Sequence, residues 1–152
     1  MLGIDPGYGR LGWSVIEKNL NLVDYGTIET ASGCNIADRI HTIHTKLETI
    51  INLYRPDCAA IERLFFSKNT TTAIDVAKTI GAVVLTLRLH DIEHTEYTPS
   101  QIKQSLTGYG RAGKEQMKFM IKSIFKLTEI PQPDDAADAI AIALCHSLRC
   151  GS

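Results

Sequence analysis

No apolar run in the sequence reaches the ~18 residues that a membrane-spanning helix needs, so no such helix and no membrane partner are expected. Cysteine is sparse, with four residues at positions 34, 58, 145 and 150. No two of them have CxxC spacing, which excludes a zinc ribbon and predicts free thiols in a reducing compartment. The five histidines form no zinc-binding pattern with the cysteines either. Charge of one sign is also lacking: 16 Lys+Arg face 17 Asp+Glu for a net charge of −1, so a uniformly basic nucleic-acid binder is excluded. Residues 1–7 carry no basic n-region or long apolar stretch, which predicts no signal peptide and a cytoplasmic location. Repeats, linkers and low-complexity segments are absent. What remains is 152 residues with 44% hydrophobic and 22% charged content. That is ordinary for one globular domain spanning residues 1–152.

Short apolar runs open the chain. Met1–Ile4, Leu11–Ile16 and Leu22–Thr30 predict three strands, and the tight spacing between them suggests an antiparallel meander. Ile36, Ile40, Ile43, Leu47, Ile50 and Tyr54 recur at helical steps and predict a helix ending before Pro56. His41, His44 and Glu48 fall on its opposite, presumed solvated face. Residues 57–62 predict a buried strand ending in Glu62. Residues 71–89 predict a helix with apolar residues all round, which must be buried in the core or against a second subunit. A strand over Glu93–Tyr97 follows, then helices over 99–106, 114–127 and 135–148. Strands first and then strands alternating with helices predict an α/β domain with a mixed sheet.

The acidic residues are oddly placed. Asp5 and Glu62 each end an apolar strand. If those strands are parallel neighbours, both carboxylates emerge at the sheet edge where α/β proteins bind ligands. Asp135 and Asp138 lie three apart at the start of a helix rich in alanine, a setting that normally expels a carboxylate. Asp134 shares a face with Asp138 at a four-residue spacing, so Asp134 and Asp135 both stand open as the partner of Asp138. Four converging carboxylates repel one another, and oxygen-only donors select Mg²⁺ or Mn²⁺ over zinc. Two such ions stabilise the attacking and leaving oxygens of a phosphoryl displacement. The pattern therefore predicts a two-metal phosphodiesterase centre.

The motifs Ile4-Asp5-Pro6-Gly7, Ala60-Ile61-Glu62 and Asp135-Ala136-Ala137-Asp138-Ala139 resemble the acidic motifs of the RuvC family of bacterial Holliday-junction resolvases. That family lies within the RNase H-like nuclease and integrase superfamily. Residues 62–69, Ile102-Lys103-Gln104, Gly108–Gly110, Gly113-Lys114 and Pro131-Gln132 extend the likeness in order over essentially the whole chain. The resemblance implies an RNase H-like fold with a mixed five-stranded sheet flanked by helices. It implies that Asp5, Glu62, Asp135 and Asp138 are the catalytic, metal-holding carboxylates, that Lys103 and Lys114 support catalysis near the scissile phosphate, and that Phe65 stacks on unpaired bases. It further implies a homodimeric crossover junction endodeoxyribonuclease of recombination and repair that cuts four-way DNA junctions symmetrically with the RuvA–RuvB branch-migration complex as partner. Two Mg²⁺ ions per site are implied, with Mn²⁺ able to substitute.

A basic stretch complements the acids. Between Lys103 and Lys126 lie six basic residues against Glu115 alone, a local charge of +5. Lys114, Lys118, Lys122 and Lys126 recur every four residues as one helical stripe. Beside an acidic centre, Lys103, Arg111, Lys114 and Lys118 predict a phosphate-tracking groove, with Arg63 and Lys68 adding to it near Phe65. A non-cleaving junction binder would gain nothing from four acids facing phosphate. A nuclease acting on RNA–DNA hybrids is the remaining rival.

Overall fold

The computed structural model describes residues 1–64 and 70–150. Among them, five strands and five helices run β1 (Leu2–Asp5), β2 (Arg10–Ile16), β3 (Leu22–Glu29), α1 (Ile36–Tyr54), β4 (Cys58–Glu62), α2 (Thr70–Leu89), β5 (Glu93–Tyr97), α3 (Pro99–Thr107), α4 (Lys114–Ile124) and α5 (Asp134–Cys150). The sheet order is β3-β2-β1-β4-β5. β1 to β3 form the expected antiparallel meander, while β1–β4 and β4–β5 pair in parallel. The mixed five-stranded sheet expected from the resemblance is the one observed.

Strand periodicity decides which residues meet. Successive side chains alternate between faces, so Leu2, Ile4, Ala59 and Ile61 point to one side and Gly3, Asp5, Ala60 and Glu62 to the other. The first set joins Ile43, Leu47, Ile51, Val83 and Leu87 in a core under α1 and α2. The second faces α5, whose Ala137, Ile140, Ala141 and Leu144 form a second core with α3 and α4. Register places Ile4 beside Ile61, so Asp5 and Glu62 leave adjacent parallel strands at the same edge.

Helix α5 lies unusually close to the sheet. A Cβ on Gly3 would fall 2.3 Å from the Ala139 carbonyl oxygen, and one on Gly12 would fall 2.0 Å from that of Asp135. Only glycine permits that approach. The Ser14 hydroxyl, between them on the same face, donates to the Ala139 carbonyl at 2.9 Å. The Pro133 carbonyl accepts from the Ala136 and Ala137 amides and starts the helix.

Three local expectations need correction. α4 stops at Ile124, because Lys126 adopts a left-handed conformation (φ 52°) and the Leu127 amide donates to the Lys122 carbonyl, a Schellman closure. Lys126 therefore leaves the predicted stripe. His41 is solvated as expected, but His44 and Glu48 are half-buried: α2 packs alongside α1, putting Thr86 Oγ1 2.8 Å from His44 Nδ1 and His90 3.4 Å from Glu48. The fold also brings Cys58, remote in sequence, to a helix that already holds His146 and Cys150, with Cys58 3.6 Å and Cys150 3.7 Å from opposite ring nitrogens of His146. Opposite nitrogens cannot chelate one ion, so no zinc site results.

Helix α2 divides by face. Val83 and Leu87 are buried on the sheet, whereas Ile74, Leu85 and Leu89 are exposed. At the sheet edge, β5 reads Glu-His-Thr-Glu-Tyr, and Glu96 pairs with Arg63 at 3.1 Å.

Gly12→Ala would force α5 off the sheet. We expect a stability loss of about 1–3 kcal/mol from overpacking, read by urea denaturation. Gly33→Ala should not imitate it through crowding, since nothing lies within 4 Å of a Cβ there; any cost at Gly33 should come only from its φ of +87°.

Candidate active site

Three elements deliver the four acidic residues. Asp5 ends β1, Glu62 ends β4, and Asp135 and Asp138 occupy the first turns of α5, which the glycine contacts press onto β1 and β2. The electrostatics confirm that they share one field. Burial pushes the Asp5 carboxyl up to about 8 from an ordinary 3.8, with further upward pressure from Glu62, Asp138 and Asp135. Burial likewise raises Glu62 and Asp138, each pressed further by neighbouring carboxylates. Asp5, adjacent to Glu62, opposes part of the upward pressure on Glu62. Lys103 lowers Glu62, and Lys114 lowers Asp5 and Asp138.

The cations come from three elements. α3 begins directly after β5 with a capping box, Thr98 accepting from the Gln101 amide and Gln101 from the Thr98 amide, and Pro99 in the first turn. This fixes Lys103 on the second turn, facing Glu62. α4 begins with Lys114, a cation at the positive end of a helix dipole and hence disfavoured there. It is held by ion pairs to Asp134 at 3.1 Å and Asp138 at 3.4 Å. Lys118, one turn on, reaches Asp134 at 2.9 Å and Glu115 at 3.5 Å. Arg10 joins Asp135 at 3.2 Å to Glu29 at 3.0 Å. Sequence reasoning missed Arg10, and no pattern marks it: the β2–β3 pairing that brings Glu29 beside it is visible only in the fold.

Glu62, Lys103, Lys114 and Asp138 form the polar mouth of a cavity of about 280 Å³ floored by Pro99, Ile102, Met117, Ala141 and Ile142. Of the other predicted contacts, Arg63 is paired with Glu96 beside Glu62, and Arg111 is exposed on the loop before α4. Phe65 and Lys68 lie outside the described residues.

The donor set fits a hard divalent cation. It is oxygen-only, and Asp5, Glu62 and Asp138 are all held towards their protonated forms, which marks a site short of positive charge. Among the described residues no group of three or more His, Cys, Asp or Glu side chains forms a ready metal cage. Arg10 and Lys114 instead supply the positive charge beside Asp135 and Asp138.

Asp5 also sets a pH dependence for the cation-free protein. Its raised pKa means the folded state binds a proton that the unfolded state releases. That stability is complete below about 4 and is lost as pH rises to about 8. In chelator, the melting temperature should fall over that window. Asp5→Asn should flatten the slope and raise Tm by roughly 5 °C at the alkaline end, measured by calorimetry; an unchanged slope would count against the burial of Asp5.

Residues 1–146 match the family model for the crossover junction endodeoxyribonuclease RuvC. The chain is 49% identical over 156 residues to the crossover junction endodeoxyribonuclease RuvC of Caldicellulosiruptor saccharolyticus, covering 100% of this chain and 94% of the relative. It is 47% identical to that of Halothermothrix orenii, covering 96% and 90%. The structure is similar to that of T. thermophilus RuvC in complex with Holliday junction substrate. There the TM-score is 0.91 and the identity 32%, covering 98% of this chain and 93% of the other.

Proposed function

The chain belongs to the RuvC family of crossover junction endodeoxyribonucleases, and from that premise we propose how its own residues cut a four-way junction. It is a Holliday-junction resolvase with a metal-dependent nuclease activity in DNA recombination and repair. We assign the acidic cluster as its catalytic centre. The observation that carries this is the convergence of Asp5 and Glu62 at the ends of adjacent parallel strands with the first turns of α5 that bear Asp135 and Asp138, with Lys103 and Lys114 lining the same cavity as Glu62 and Asp138.

In our reading Asp5, Glu62, Asp135 and Asp138 hold two Mg²⁺ ions, replaceable by Mn²⁺. Bound there, the ions supply Lewis-acid stabilisation of the attacking and leaving oxygens. Asp5, held towards its protonated form by burial, would bind a cation as its carboxylate, with its proton released to solvent. Lys103 and Lys114 grip the scissile phosphate from α3 and α4 and stabilise charge that develops in the transition state. Arg111 and Arg63 meet flanking phosphates, and Phe65 and Lys68 act at the crossover.

The remaining assignments are proposals of the same kind. One domain spans residues 1–152 and works in the cytoplasm beside the RuvA–RuvB complex; among the described residues no helix is long and apolar enough to cross a membrane. Symmetric cleavage needs two centres, and we place the homodimer seam on α2. Ile74, Leu85 and Leu89 are 54%, 59% and 64% exposed and fall within one narrow arc of that helix. An exposed apolar stripe of this kind marks an association surface.

On a synthetic mobile junction with Mg²⁺, the protein should give paired symmetric nicks with ligatable ends and leave RNA–DNA duplexes intact. Asp5→Asn and Glu62→Gln should each lower the rate by about 10³-fold or more while junction binding in a gel-shift assay persists. Full cleavage by either variant would refute the assignment. Leu85→Asp should convert the dimer to a folded monomer in sedimentation velocity and abolish paired nicking; a dimer that survives it would move the seam elsewhere.

A further inference from the structure

Asp134 sits beside the carboxylates and adds to the charges that raise Asp138, but it is not among those acting on Asp5. The charges acting most on Asp5 are those of Glu62, Asp138, Asp135 and Lys114. Both oxygens of Asp134 are turned to α4, Oδ1 to the Lys118 ammonium at 2.9 Å and Oδ2 to the Lys114 ammonium at 3.1 Å. Neither the helix start nor the sheet engages them: the Pro133 carbonyl serves the first amides of α5.

The two lysines differ in freedom. The Lys114 side chain is 50% exposed and reaches Asp138, whereas that of Lys118 is only 13% exposed. Lys118 is thus spent on Asp134 and Glu115 and is poorly placed to follow a phosphate, although its four-residue spacing from Lys114 predicts a DNA contact. Lysines four apart on one helix repel each other, and Lys114 is also repelled by the amino end of α4. An acid set between the two ammonium groups from another helix answers both repulsions at once. It also ties α4 to the start of α5, the segment that carries Asp135 and Asp138.

We propose that Asp134 is a positioning residue that clamps Lys118 and Lys114 and so fixes the Lys114 ammonium against Asp138, and that it does not hold the catalytic cation. This resolves the ambiguity of the Asp134-Asp135 pair in favour of Asp135 as the ligand. Anchored in this way, Lys114 meets the phosphate already oriented, so the gain falls on the chemical step more than on binding. The proposal rests on the reading of Lys114 as a phosphate contact in the active centre.

The test compares Asp134→Asn, Asp134→Glu, Lys118→Met and Asp135→Asn by three readouts. These are Mg²⁺ affinity without DNA, from the Mg²⁺-dependent rise in Tm; the junction KM and single-turnover rate; and the labelling of Lys114 by an amine-reactive ester, followed by peptide mass. Asp134→Asn should lower the single-turnover rate about tenfold with junction KM changed less than about threefold. It should keep Mg²⁺ affinity within about twofold of the parent, while Asp135→Asn loses most of it. Lys114 labelling should rise in Asp134→Asn and in Lys118→Met. Asp134→Glu should recover most of the rate, and the Asp134→Asn/Lys118→Met double variant should be no slower than either single one, as expected of one coupled unit. A loss of Mg²⁺ affinity in Asp134→Asn equal to that in Asp135→Asn would make Asp134 a ligand and overturn the proposal. So would an unchanged rate, or unchanged Lys114 labelling. If the parent protein cleaves no junction, the proposed function fails, and the Mg²⁺ and labelling readouts still decide the role of Asp134.

Discussion

Everything in this molecule hangs on the approach of one helix backbone to one sheet. α5 touches β1 and β2 through Gly3 and Gly12, where a single methyl group would fall within 2.3 Å of a carbonyl oxygen. The contact places the first turns of α5 over the end of β1, and it is why Asp135 and Asp138 act on Asp5 at all. Dense packing of this kind transmits displacement rather than absorbing it. The geometry of the acidic centre is therefore set by two residues with no functional groups of their own.

The same centre works against the stability of the fold. Carboxylates gathered at a partly buried edge repel one another, and the chain offsets this with a proton on Asp5 and with cationic side chains drawn from α3, α4 and β2. Arg10, Lys103 and Lys114 reach the cluster from three separate elements. A near-zero net charge hides this arrangement, because acids and bases are sorted by location while their totals cancel.

Much of this was legible in the sequence, for reasons that can be named. The strand-end carboxylates were visible because Asp5 and Glu62 terminate runs whose alternation also fixes their facing, and the α5 acids were visible because aspartate is rare amid Ala and Ile. What stayed hidden depends on contacts between elements. The α1 pattern marks His44 as solvated, and only the docking of α2 gives it Thr86 as a neighbour. The four-residue spacing extends the lysine stripe to Lys126, which the backbone excludes by turning left-handed. Spacing likewise groups Lys118 with the other lysines of its helix and gives no sign of its ion pair with Asp134 of another helix. Arg10 carries no signal before the β2–β3 pairing puts Glu29 next to it.

An open sheet has two edges, and an unpaired edge can capture a strand of a second molecule. β5 forms one of them here, and its sequence Glu-His-Thr-Glu-Tyr is nearly all polar. A strand docking against it would have to strip water from Glu93, His94 and Glu96, and would crowd the Arg63 pairing of Glu96. Encounters between copies in a crowded cell are thereby steered away from sheet extension. The chain has thus made its most reactive backbone the least inviting place for another strand to dock.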